Sequence, residues 1–165
     1  MIARDDFVSR FGGVFEHSPF IAERAYDQGL VAEPLTVKSV HDALCTVFRA
    51  ASTEERLDVL RKHPDLAGKL ATAGNLTMES HREQSGAGLD RLSAEEHAEF
   101  TKLNSAYIEK FQFPFIIAVT GLNKDDILAA FKQRVANDAD VELATACLQV
   151  EKIAGIRLQF LLPES

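Results

Sequence analysis

His63 lies in the stretch LRKHPDLAGK, Leu60–Lys69, between basic residues and against Pro64. A proline pushes the residue before it out of the α region, and it opens a helix at little cost because its missing N–H would be unpaired there anyway. The spacing therefore predicts an extended His63 that ends one helical segment and caps the start of the next turn. An imidazole held in such a corner suits general acid–base chemistry, since it exchanges a proton near neutral pH. A plainer reading fits as well: Asp65 and the proline only reset the chain direction.

The next polar cluster is TMESHREQSGAGLDRL, which gathers Glu79, Arg82, Glu83 and Gln84, with Gly86 and Gly88 leaving room for a close approach of backbone. Glutamates on helices are mostly solvated, so Glu83 alone is a weak catalytic candidate. His81 and Glu83 lack the HExxH spacing that sets two histidines on one helical face for zinc. His17, His41 and His97 are isolated and read as surface or packing residues. The sequence carries no GxSxG elbow, P-loop or GxGxxG fingerprint.

Arg157 is the most telling single residue. On a helix its same-face neighbours are Ile153, Ala154, Phe160 and Leu161, all apolar. A charge centred on such a patch needs a partner. A structural and a functional reading fit equally: a carboxylate of the protein, or a stem that packs while its head reaches water, against a ligand carboxylate gripped by the guanidinium fork. Phe111–Gly121, FQFPFIIAVTG, raises a related question. It is apolar, aromatic and β-branched, Pro114 interrupts it, and no second strand exists to pair with it. It reads as an extended buried segment between two helices, whose N–H and C=O groups must be satisfied by side chains, water or a bound polar ligand.

Helices joined by short turns must position these groups. VHDALCTVFRAA puts Val40, Leu44, Val47 and Phe48 on one face. STEERLDVLRKH opens on a capping box of Ser52 and Glu55, and SAEEHAEFTKLNSAYIEKF repeats it with Ser93 and Glu96 before Phe100, Leu103 and Tyr107 at helical spacing. NKDDILAAFKQRVAND has Asn123 or Lys124 at its entry, acidic residues in its first turn and Asn137 at its end. DVELATACLQVEKIAGIRLQFLL is apolar on most sides and should run through the core. The expected fold is all-α: one compact multi-helix domain over residues 1–165, with one extended buried segment near 111–121.

At 165 residues the chain fits one domain that buries roughly two-thirds of its unfolded surface. Hydrophobic residues at 46% and charged residues at 26% are ordinary globular values, and a net charge of −7 argues against nucleic-acid binding. No apolar run approaches the roughly 20 residues that span a bilayer, and MIARDDFVSRFGG has no signal-peptide core, so no membrane partner is expected. Cys45 and Cys147 sit among apolar helical neighbours and read as buried reduced thiols; two cysteines alone make no structural zinc site.

Five blocks in order resemble one family. FEHSPFIAERA (Phe15–Ala25), HPDLAGK (His63–Lys69), SHREQSGAGL (Ser80–Leu89), LNSAYIEKFQFPFIIAVTG (Leu103–Gly121) and EKIAGIRL (Glu151–Leu158) are similar to the 2-oxo-4-hydroxy-4-carboxy-5-ureidoimidazoline (OHCU) decarboxylases. The resemblance implies an all-helical, cofactor-free and metal-free enzyme of urate catabolism, commonly a homodimer, that forms (S)-allantoin and carbon dioxide from OHCU. It implies His63 and Glu83 as catalytic residues. It implies Pro64, Ser80, Gln84, the stretch Phe115, Ile116, Ile117, Ala118 and Val119, and Arg157 as substrate contacts. Eukaryotic relatives often end in an SKL-type peroxisomal tripeptide; this chain ends PES, so a cytoplasmic bacterial enzyme is expected. Two other classes stay open at this point: a ureido or amide hydrolase using His63 and Glu83 to activate water, and a non-catalytic helical binding module.

Overall fold

Polar residues at the helix starts fix where the chain turns. The computed structural model describes residues 1–63 and 92–163. All regular structure among them is helical: α1 (Arg4–Phe11), a 3-10 turn (Gly12–Val14), α2 (Phe20–Asp27), α3 (Val37–Ala50), α4 (Thr53–Lys62), α5 (Ala94–Phe111), α6 (Lys124–Val135) and α7 (Ala139–Leu161). The expected all-α class is what the chain adopts. Ser52, Ser93 and Asn123 each form a reciprocal capping box with the residue three positions on, as does Thr36 at α3, which the sequence reading left aside. Each box satisfies two N–H groups that the first helical turn leaves bare, and losing such a cap costs about 0.5–2 kcal/mol.

The chain divides into two units: Met1–His63 with the residues from Val150 onward, and a second that extends to Gln149. In the first, Phe7 and Phe11 of α1 meet at 5.1 Å between ring centroids, and Phe15 meets Phe48 of α3 at 5.2 Å. Val40, Leu44, Val47 and Phe48 are all buried, the face that the helical spacing predicts. α7 adds Ile153, Ala154 and Leu158. Phe160 corrects the expectation: it is 58% exposed, and Leu161 is half-buried. The apolar patch around Arg157 is thus one-sided, closed toward the N-terminus of the helix and open where α7 ends. Side chains lean toward the helix N-terminus, so the final turn covers less of what lies beyond it.

In the second unit α5 and α6 enclose an aromatic cluster. Tyr107 lies 4.6–5.9 Å from the rings of Phe111, Phe113, Phe115 and Phe131, and Phe115 stacks on Phe131 at 3.9 Å. Phe100 and Tyr107 are buried as their spacing predicts, while Leu103 is half-buried. α6 stops at Val135 with Ala136 as its cap and Asn137 next, at the end that the sequence predicts; the Asn137 N–H donates to Arg134 O at 3.0 Å and its side-chain amide to Glu142 Oε2 at 3.1 Å.

α7 departs most from its hydropathy. It buries Glu142, Glu151 and Arg157 while exposing Val141 and Leu148. No helix among the described residues is long and apolar enough to cross a membrane. Cys45 and Cys147 are both buried, and neither is in a disulfide.

Candidate functional site

His63 is placed by the end of α4. Basic Arg61 and Lys62 complete the last turn, where they complement the helix dipole. His63 then leaves the helix at φ −68°, ψ 139°, with its N–H donating to Leu60 O at 3.2 Å. This is the extended geometry that a following proline demands. The imidazole is half-buried. At the other end of α4, Glu55 accepts from Arg24 of α2 as well as from the Ser52 N–H. The Arg24 guanidinium, followed by the Ser52 N–H, lowers the Glu55 carboxyl to about 2. The helix that carries His63 is therefore pinned at its start by an ion pair and a cap.

Arg157 sits deeper, 2% exposed. Its Nη2 lies 3.3 Å from Glu16 Oε1, and its Nη1 donates to Val14 O at 3.5 Å. Of the two partners open to it in sequence, a protein carboxylate is present. Glu16 comes from the turn after the 3-10 helix, closed by Ser18 N–H donating to Phe15 O at 2.9 Å. At its centre His17 has a φ of +60°, in the left-handed region. That conformation costs a non-glycine residue roughly 1–2 kcal/mol. It turns Glu16 and Ser18 inward, 2% and 1% exposed, and leaves His17 in solvent. His41 is half-buried; its Nε2 donates to Glu151 O at 2.7 Å and lies 3.3 Å from Cys45 Sγ. Burial first, then the nearby Glu151 carboxylate, pushes the Cys45 thiol up to about 12, so it is no nucleophile at neutral pH.

The extended segment Phe115–Val119 follows α5, which ends on Gln112 in the left-handed region at φ +65°. Its backbone is held by side chains. Arg134 Nη1 donates to Ile116 O at 2.6 Å, Gln149 Oε1 accepts from Ala118 N–H at 2.9 Å, and Leu122 N–H donates to Val119 O at 2.9 Å. Arg134 also lies over the Phe115 ring at 4.4 Å. Its Nε and Nη2 reach Glu142 Oε1 at 2.7 and 2.5 Å, and Tyr107 donates to the same carboxylate. Burial, then the Glu142 hydrogen bond, raises the Tyr107 phenol, which stays a neutral donor. Among the described residues no partner is shown for the N–H and C=O of Ile117, the half-buried member of the stretch.

Of the sequence-predicted site residues, His63 and Arg157 fall in the first unit and Phe115–Val119 in the second. Pro64, Ser80, Glu83 and Gln84 lie outside the described residues. Sequence reasoning missed the partners: Glu16 for Arg157, and Arg134, Glu142 and Gln149 for the extended segment. Glu16 was within reach, since FEHSPFIAERA was one of the five blocks. Among the described residues no three His, Cys, Asp or Glu side chains cluster as a metal site would require. The side chains present include an imidazole at His63, a buried guanidinium opposed by a carboxylate, and main-chain groups held by side chains.

The OHCU decarboxylase family model matches residues 1–159. The 2-oxo-4-hydroxy-4-carboxy-5-ureidoimidazoline decarboxylase of Haloferax volcanii is 39% identical over 155 residues, 93% of this chain and 88% of its own. The uric acid degradation bifunctional protein PucL of Bacillus subtilis is 36% identical over 154 residues, 93% of this chain but only 30% of its own length. Among solved structures, (S)-allantoin synthase has a TM-score of 0.78 at 29% identity over 98% of this chain, which spans about half, 51%, of that one. An OHCU decarboxylase solved in the presence of (S)-allantoin has a TM-score of 0.71 at 24% identity, covering 97% of this chain and 99% of its own, a likeness of fold.

Proposed function

This chain belongs to the OHCU decarboxylase family, and we propose that it is a carboxy-lyase converting OHCU to (S)-allantoin and carbon dioxide in urate breakdown. The observation that carries the reading is the match across residues 1–159 together with a relative of that name covering most of both chains. The substrate accounts for the absence of any metal or organic cofactor from the proposal. Decarboxylation leaves an electron pair at carbon, and cofactor enzymes supply a sink for it. OHCU has its own sink, a ring carbon–nitrogen double bond beside the carboxylated carbon. The pair from the broken C–C bond moves toward that nitrogen, and the remaining task is to deliver a proton to one face of the ring.

His63 is the proton carrier in this proposal, with Glu83 as the second catalytic residue. Its fixed extended backbone supports the assignment, because a proton donor must be aimed. Glu83 and Gln84 offer acceptor and amide groups to a ureido function. Pro64, Ser80 and the main chain of Phe115–Val119 complete the contacts, and Arg157 meets the carboxylate. A single domain over 1–165, a homodimer and a cytoplasmic location belong to the same proposal, the homodimer on the strength of the family resemblance.

Circular dichroism during urate oxidation, with uricase and hydroxyisourate hydrolase present, tests it. The protein should build up the (S)-allantoin signal faster than spontaneous decay, which gives racemate. His63→Asn should fold and lose about 10²–10⁴-fold in rate, the usual worth of a positioned acid–base group. A folded His63→Asn variant with near-normal turnover would remove the histidine from the mechanism.

A further inference from the structure

Three ion pairs put a buried charge of α7 opposite a partner, and they differ in kind. Arg49 of the Glu151 pair is 67% exposed, so its charge remains largely in water. The Glu142 pair closes at 2.5 Å and its arginine also anchors the Ile116 carbonyl, so a structural account suffices. The Glu16–Arg157 pair is the longest, at 3.3 Å, and both side chains are within 2% of full burial. A pair desolvated on both sides is weak evidence for stability, because apolar residues of the same volume often do as well. Glu16 is moreover delivered by a turn in the left-handed region at His17, and backbone held in such a conformation persists only where its surroundings over-determine it.

We infer that Glu16 is a positioning residue for Arg157 that tempers its grip on a carboxylate during decarboxylation. The inference rests on the proposed reading that Arg157 meets the substrate carboxylate. That carboxylate carries its charge in the ground state and loses it as carbon dioxide leaves. A bare guanidinium would bind the ground state more tightly than the transition state, which slows the chemical step. With Glu16 at 3.3 Å a carboxylate already opposes the guanidinium, while Val14 O helps fix its plane. The pair still aligns the carboxylate through directional hydrogen bonds, yet holds it less strongly as a charge.

The kinetic signature separates this from a scaffolding role. Glu16→Gln keeps the shape and an acceptor oxygen but removes the counter-charge. It should bind hydantoin-5-acetate, a stable ring carboxylate, about tenfold tighter, the equivalent of about 1.4 kcal/mol. Binding of neutral (S)-allantoin should not change. KM and kcat should fall together, leaving kcat/KM within about threefold. Unchanged or weaker binding of hydantoin-5-acetate by folded Glu16→Gln would overturn the inference. Should that variant fail to fold, Glu16→Asp decides: it keeps the charge but withdraws it, so the same shifts should appear at about threefold, and their absence overturns the inference equally. Wild-type protein and Arg157→Ala run alongside. No allantoin signal from wild type, or no loss of preference for hydantoin-5-acetate over allantoin in Arg157→Ala, refutes the reading underneath instead.

Discussion

Arg134 holds the extended segment in place, and its removal should be felt in both stability and substrate binding. Its guanidinium serves three partners at once: the Ile116 carbonyl at 2.6 Å, the Glu142 carboxylate at 2.5–2.7 Å and the face of Phe115 at 4.4 Å. Arg134→Met keeps most of the volume and removes every donor. Glu142 is fully buried, so it would be left as an interior charge supported only by the neutral donors of Tyr107 and Asn137. Breaking a buried pair from one side costs about 3–5 kcal/mol, and the stranded Ile116 carbonyl adds about 1–3. With about 4–8 kcal/mol in total, and about 2–4 °C per kcal/mol for a chain of this size, Tm should fall by roughly 8–32 °C.

Urea denaturation monitored by far-UV circular dichroism measures the loss. The companion variant Arg134→Met/Glu142→Leu removes both charges, so it should be less destabilised than the sum of the single variants by more than about 1 kcal/mol. In the OHCU assay Arg134→Met should raise KM more than it lowers kcat, because the damage falls on main chain proposed to contact substrate. A loss under about 1 kcal/mol for Arg134→Met, or strict additivity in the double variant, would show that the network does not act as a unit.

Three further outcomes follow from the other pairs. Arg157→Ala should lose about 3–5 kcal/mol, because it breaks a buried ion pair from one side, and should also lose its preference for carboxylate-bearing ligands; unchanged urea stability would exclude the buried pair. The Glu55 carboxyl is lowered in the folded protein from 4.5 to about 2, chiefly by Arg24, so its contribution is present above pH 4.5 and lost as pH falls through 2. Wild type should therefore be more stable than Glu55→Gln at pH 7 and no more stable at pH 2, and a gap that persists at pH 2 would contradict the assignment. Cys45, with its thiol pushed up to about 12, should resist iodoacetamide at pH 8 in the folded protein and react once urea unfolds it. Rapid alkylation of native Cys45 would refute its burial.

What the sequence made legible is what local chemistry determines. Ser52, Ser93 and Asn123 announced their helices because a cap and its partner lie three residues apart. The buried face of α3 followed from the 3.6-residue repeat, and the extended His63 from the proline after it. The extended segment was legible too, as an apolar, β-branched run interrupted by Pro114 with no second strand to pair with it. Reading was incomplete at α7. Hydropathy assigns Glu142 and Glu151 to the surface unless their partners are known, and for Arg157 it says that a partner is needed without saying which, because partners far away in sequence leave no local trace. Arg49 meets Glu151 across 102 positions, and Arg157 meets Val14 across 143.

The same distinction bears on how an arginine in an apolar patch should be interpreted. The patch alone says that the charge must be neutralised, and it leaves protein and ligand as equal candidates. The Glu16 contact does not choose between them, because one carboxylate can balance the resting protein while a second arrives with substrate. What it changes is the energy of that arrival. A guanidinium already opposed by Glu16 gains less from a second anion than a bare one would, so a ligand carboxylate must be held by aligned hydrogen bonds and by the remainder of the molecule. For an enzyme whose substrate discards its carboxylate, weak attachment at that end and firm attachment elsewhere is the productive distribution. Binding energy placed on the ring and the ureido group survives into the transition state, and energy placed on the departing carboxylate does not.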